Sequence, residues 1–119
     1  MRHLYLMRHA KAKQPSGDMI DHQRPLRKRG KRQAAAMAPA LQRWQALEGE
    51  VYVSTAARTR ETFDEIAVQL PEHTLINQVH FDEDLYTFDG GGLQAWLKAL
   101  PDEAERVLVI GHNPALHDL

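Results

Sequence analysis

Val107-Leu108-Val109-Ile110 is a run of four apolar residues between the charged pair Glu105-Arg106 and a glycine. It is too short for a buried helix. It also lacks the alternation of a strand with one wet face, so it suits a strand covered on both sides, as in a parallel sheet flanked by helices. Leu4 to Met7 and Val51 to Val53 read the same way, and Leu75 to Val79 is a weaker strand candidate. Between these runs the apolar period changes to three and four residues. Ala34, Met37, Leu41 and Trp44 form one helical stripe, which Pro39 should kink or end early. Phe63, Ile66, Ala67 and Leu70 form a second, capped by Ser54 and closed by Pro71; Leu93, Trp96, Leu97 and Leu100 form a third, with Trp44 and Trp96 expected in the core. Gly90-Gly91-Gly92 reads as a flexible loop before the third helix, and Asn113-Pro114 as the cap and first residue of a last one. Strands alternating with helices predict an α/β fold with a mainly parallel central sheet and right-handed crossovers. At 119 residues the chain reads as a single domain, 1–119.

In such sheets function gathers at the carboxyl ends of the strands, and Arg8-His9, Ser54 and His112 all fall directly after predicted strands. Composition narrows the chemistry. There is no cysteine, so thiol nucleophiles, disulfides and thiolate metal sites are excluded. The histidines His3, His22, His73, His80 and His117 show no metal-site spacing, and no metal or other cofactor is expected. No apolar run approaches a membrane span or a signal-peptide core, which predicts a cytoplasmic protein without a membrane partner. Charge is segregated: residues 1–60 hold 13 Lys and Arg against 4 Asp and Glu, and residues 61–119 hold 2 against 12. Arg24 to Arg32 is strongly basic but has no interleaved aromatic residues, and pI is near 6.6, so a solvated helix start is expected there and not a nucleic-acid site.

Three segments concentrate His and Arg at that edge: Met7-Arg8-His9-Ala10, Ser54 through Thr62 with Arg58, and Gly111-His112-Asn113-Pro114. Together they point to phosphate chemistry. A guanidinium fits phosphate oxygens as a two-pronged donor, and a helix N-terminus adds backbone N–H groups. A neutral imidazole can attack phosphorus and carry the phosphoryl group as a covalent intermediate.

These segments, with Arg24-Pro25-Leu26 through Arg29-Gly30 and Glu83-Asp84-Leu85-Tyr86, resemble the ordered motifs of the histidine phosphatase, or phosphoglycerate mutase-like, superfamily. The likeness is greatest to its small SixA-type phosphohistidine phosphatase branch. The resemblance implies a phosphoglycerate mutase-like fold, His9 as the phosphorylated nucleophile, and Arg8, Arg58 and His112 as the phosphate pocket. It also implies metal-free phosphoryl transfer. Family members continue past the Gly-His-Asn-Pro segment, whereas five residues follow Pro114 here, so a C-terminally short member is expected.

The resemblance leaves the general acid open among Glu83, Asp84 and Asp18, with Glu83 retained as the candidate. An imidazole leaving group has a pKa near neutrality and needs little help from an acid, which favours phosphohistidine over an ordinary ester. The expected substrate is a phosphorylated protein, such as a phosphotransfer domain in signal transduction. Two alternatives stay open: a small-molecule phosphomonoesterase, and a non-catalytic module that binds phosphate or sulfate in the same pocket.

Overall fold

The computed structural model describes residues 2–71 and 79–118. Four parallel strands form its sheet: β1 (His3–Arg8), β2 (Glu50–Ser54), β3 (Val79–Asp82) and β4 (Arg106–Gly111), in the order β1-β4-β2-β3. The helices are α1 (Lys28–Ala36), α2 (Ala38–Arg43), α3 (Ala57–Ala67) and α4 (Gly90–Lys98). This is the α/β architecture expected from the apolar runs. Leu75 to Val79 lies outside the described residues except for Val79, which opens β3; His73 also lies outside them.

β4 is covered on both faces, and its side chains divide between two cores. Leu108 and Ile110 pack with Ala34 of α1, Leu41 of α2, Phe63 and Ile66 of α3, and Val51 and Val53 of β2. Val107 and Val109 face the other way, against Leu85, Leu93 of α4, Leu100 and Ala115. At ~25 cal/mol per Å² of apolar area removed from water, these two layers are the main favourable term in folding.

The sequence reading needs correction at several places. β1 is covered on one face only: Tyr5 and Met7 meet the first core, while Leu4 and Leu6 are about 40% exposed because the α4 layer does not reach this edge strand. Pro39 does break the first helical stretch, which restarts at Ala38, but Trp44 follows the end of α2 and is exposed. Trp96 is half-buried, with its indole N–H donating to Asp82. The three glycines are no loop; they open α4, where Asp89 Oδ1 accepts from Gly91 N and supplies the cap a Gly-rich first turn needs. Residues 113–118 form turns and no α-helix, and Asn113 Oδ1 accepts from His117 N, four residues on, instead of capping a first turn.

The segment after β1 is stitched to the entry of α1. Ala12 and Leu26 form an antiparallel bridge, flanked by bonds from Lys13 N to the Pro25 carbonyl (2.8 Å) and from Arg27 N to the Lys11 carbonyl (2.9 Å). Gly30 makes the close approach possible, since a Cβ there would sit 2.1 Å from the Lys11 oxygen.

Candidate functional site

Strand register builds the site. Arg8 pairs with Gly111, Val53 with Ile110, and Ser54 with Asp82, so Arg8, Gly111, Ser54 and Asp82 end their strands in one row. The next residues, His9, His112, Thr55 and Glu83, therefore emerge along the same carboxyl edge. His9 N donates to the Gly111 carbonyl (3.2 Å), which continues the β1–β4 ladder into the site.

The His9 and His112 rings lie 5.4 Å apart between centroids. His9 Nδ1 is 2.6 Å from the Ala10 carbonyl oxygen, a partner that can only accept, so Nδ1 carries the proton and Nε2 keeps its lone pair. Burial lowers the His9 pKa from 6.5 to about 4; the Ala10 bond opposes the shift, and the charges of Arg58, Arg8 and Arg24 add to it. His112 falls to about 3, again through burial first and then the charges of Arg58 and His9. Both imidazoles are neutral at physiological pH. Nε2 of His112 meets the Ser54 hydroxyl at 2.8 Å, while its buried Nδ1 has no hydrogen-bond partner.

Arg58, the second residue of α3, is the largest fully buried side chain, with 1% of its surface exposed. Its Nη1 donates to the Asp21 carbonyl (2.8 Å) and its Nη2 to the Asp21 carboxylate (2.9 Å). The guanidinium carbon lies 5.9 Å and 6.0 Å from the ring centres of Tyr86 and Phe88, and its Nε is buried without a partner. Burial would raise the Asp21 pKa, but the hydrogen bonds from Tyr86 and Arg58 and the charges of Arg58 and Arg24 outweigh it and hold the carboxyl below its usual value. A buried guanidinium with one carboxylate partner, beside two neutral imidazoles with unused hydrogen-bonding positions, is an environment suited to a multiply charged oxyanion.

Ser54 does not cap α3. It is the last residue of β2 and its hydroxyl is committed to His112; the cap position is Ala56, whose side chain makes no capping bond. The first turn of α3 thus keeps N–H groups available to an anion. Thr62 holds the framework together. Its hydroxyl donates to the Arg58 carbonyl (2.7 Å) and accepts from Ala10 N (3.0 Å), tying α3 to the residue after His9.

Arg8 is exposed beside His9 and, with His9, Lys11, Gln14, Arg24, Arg27 and Gln33, lines a cleft of about 520 Å³. Glu83 is at the rim: its carboxylate accepts from the Thr55 hydroxyl and lies 3.6 Å from Nε2 of His22. Asp84 and Asp18 are exposed. Sequence reading assigned no role to Asp21, His22 or Tyr86. A weak signal existed for Asp21, a carboxylate three residues before Arg24, with which it forms an ion pair (3.1 Å). Among the described residues no group of three His, Cys, Asp or Glu side chains is placed to hold a metal ion, and no helix is long and apolar enough to cross a membrane.

Comparison with known proteins agrees with this fold. An uncharacterized protein of Mycobacterium leprae is 33% identical over 113 residues, covering 92% of this chain and 66% of its own length. The structure of a protein histidine phosphatase SixA complexed with tungstate superposes with a TM-score of 0.77 at 30% identity, covering 95% of this chain and 70% of that one. A proposed phosphohistidine phosphatase SixA from Agrobacterium tumefaciens superposes with a TM-score of 0.80 at 25% identity, covering 94% and 70%. The chain spans just under two thirds of the Mycobacterium leprae relative. The sequence profile of histidine phosphatase superfamily branch 1 matches residues 4–108, and the chain belongs to that superfamily.

Proposed function

We propose that this chain is a metal-independent phosphatase that removes the phosphoryl group from phosphohistidine on a protein through a phosphohistidine intermediate at His9. The observation that carries this reading is the pairing of a neutral His9, its Nε2 lone pair free, with the buried Arg58 guanidinium and the unpartnered Nδ1 of His112. His9 Nε2 attacks phosphorus, the P–N bond to the substrate imidazole breaks, and the departing nitrogen takes up a proton. Water then attacks the phosphorus held on His9, the P–Nε2 bond breaks, and inorganic phosphate leaves. Arg8 and Arg58 neutralise the equatorial oxygens, as a divalent cation does in other phosphoryl transfers, and the neutral His112 donates a hydrogen bond to them from Nδ1. Glu83, near His22 at the rim, is the candidate proton donor for the departing group.

The tungstate complex of the SixA structure supports an oxyanion in the equivalent pocket of this chain. Phosphohistidine is favoured over an alkyl phosphate because the one candidate acid is an exposed rim residue. The partner in this reading is a cytoplasmic phosphoprotein of a signalling relay. The test is mass spectrometry after brief exposure to phosphoramidate at neutral pH with chelator present, beside His9→Ala. An acid-labile phosphate on His9 that forms and decays, and is absent from the variant, is the expected result. Phosphate binding without labelling would instead assign a non-catalytic module, and faster hydrolysis of alkyl phosphates a general phosphomonoesterase.

A further inference from the structure

The antiparallel bridge between Ala12 and Leu26 sets Lys11 directly opposite Arg27. Leu26 is buried, so the pleat turns the Lys11 and Arg27 side chains the other way, and both line the cleft that begins at His9. Like charges directly opposite across a strand pair are destabilising. Arg8 and Arg24 line the same cleft, and among the described residues no Asp or Glu does. Only Arg24 is paired among the described residues, its Nε lying 3.1 Å from Asp21 Oδ1. Four cations therefore share a space larger than a phosphoryl group needs, held close by backbone that Gly30 permits to approach.

We infer that Lys11, Arg24 and Arg27 form an anion subsite next to the catalytic centre, which receives carboxylate side chains flanking the phosphorylated histidine of an acidic protein segment. The inference rests on the proposed phosphatase reading and adds the chemistry of the substrate's surroundings. The shape of the cleft selects a chain over a compact anion. It is lined from Gln33, which borders Arg8, back to Arg27, a stretch of about 9 Å along α1 at 1.5 Å per residue. Its walls offer little apolar surface beyond Ala10 and Ala12, so docking here is electrostatic and acts on encounter and orientation. The structure also divides the basic run of the sequence: Arg24 and Arg27 face the cleft, whereas Lys28, Arg29, Lys31 and Arg32 do not line it.

The experiment compares two phosphohistidine peptides, one flanked by Asp and Glu and one by Ala and Ser, binding to the His9→Ala protein, followed by fluorescence anisotropy. The same comparison is made after adding Lys11→Glu and Arg27→Asp; the latter places a good capping residue at the start of α1, so loss of the fold is not the expected cost. Binding of the acidic peptide should be ~10-fold tighter than that of the neutral one, weaken with salt, and lose this advantage in the charge-reversed protein. In the protein with His9 intact, Lys11→Glu and Arg27→Asp should lower kcat/KM for phosphoramidate much less than for the acidic peptide. Equal binding of the two peptides, or a compact bisphosphate that binds more tightly than the acidic peptide, overturns the subsite. Failure of phosphoramidate to label His9 overturns the phosphatase reading instead and leaves the binding comparison intact.

Discussion

The Ser54 hydroxyl and Nε2 of His112 stand 2.8 Å apart across the β2–β4 boundary, both almost fully buried. With Ser54 donating to Nε2, the hydrogen of His112 resides on the unpartnered Nδ1, where it is a donor for an oxyanion. Ser54→Ala should therefore lower vanadate affinity and kcat/KM by ~10-fold, with a stability loss of ~1 kcal/mol, and inhibition kinetics with a urea titration read both. Full activity in the variant would remove Ser54 from the mechanism.

Asp21 accepts from Arg58 and Tyr86 with one carboxylate and fixes the plane of the guanidinium. Asp21→Asn keeps the shape but removes the charge facing a nearly buried cation. We expect kcat/KM to fall by ~10-fold or more, and Tyr86→Phe, which leaves the ion pair in place, to cost only ~3-fold. Steady-state kinetics with phosphoramidate distinguish the two, and an equal loss in both would mean that Tyr86 does more than hold Asp21.

Thr62→Val is isosteric but strips the acceptor from Ala10 N and the donor from the Arg58 carbonyl. Orphaning Ala10 N should cost ~1–3 kcal/mol, and the displacement of His9 should lower kcat more than it raises KM. Denaturation midpoints beside single-turnover labelling of His9 test both parts.

Acid should destabilise the protein. In the unfolded chain His9 and His112 take up protons near pH 6.5, whereas the folded state resists until about 4 and 3. The unfolded state then binds more protons, so this contribution is complete above about pH 6.5 and declines as pH falls through the interval towards the folded values. The melting temperature should drop by several degrees between about pH 7.5 and 4.5, and less steeply in His112→Asn. Parallel curves for the two proteins would show that His112 is not the source.

Those experiments concern residues of two kinds. The positions of His9, Arg58 and His112 can be read from the sequence because each sits just after a recognisable strand or at a helix start, while their proposed roles come from the resemblance to the family's motifs. His22 and Tyr86 cannot be read this way, and Asp21 only weakly through its spacing to Arg24, since their roles depend on contacts 33 to 65 residues away. Ser54 misleads for an instructive reason. Serine at a strand-to-helix junction is a favoured cap, and only the tertiary structure reveals that His112 takes its hydroxyl. Trp44 likewise fits the period of a helix that ends one residue before it.

His3 to Arg8 pair with Arg106 to Gly111, partners roughly a hundred positions apart. A chain growing on a ribosome therefore carries His9, the proposed nucleophile, long before the neighbouring strand that aligns it emerges. On the proposed mechanism, catalytic competence is thus coupled to translation through β4. A nascent fragment lacking that strand would hold every residue of β1 and β2 and still be inert.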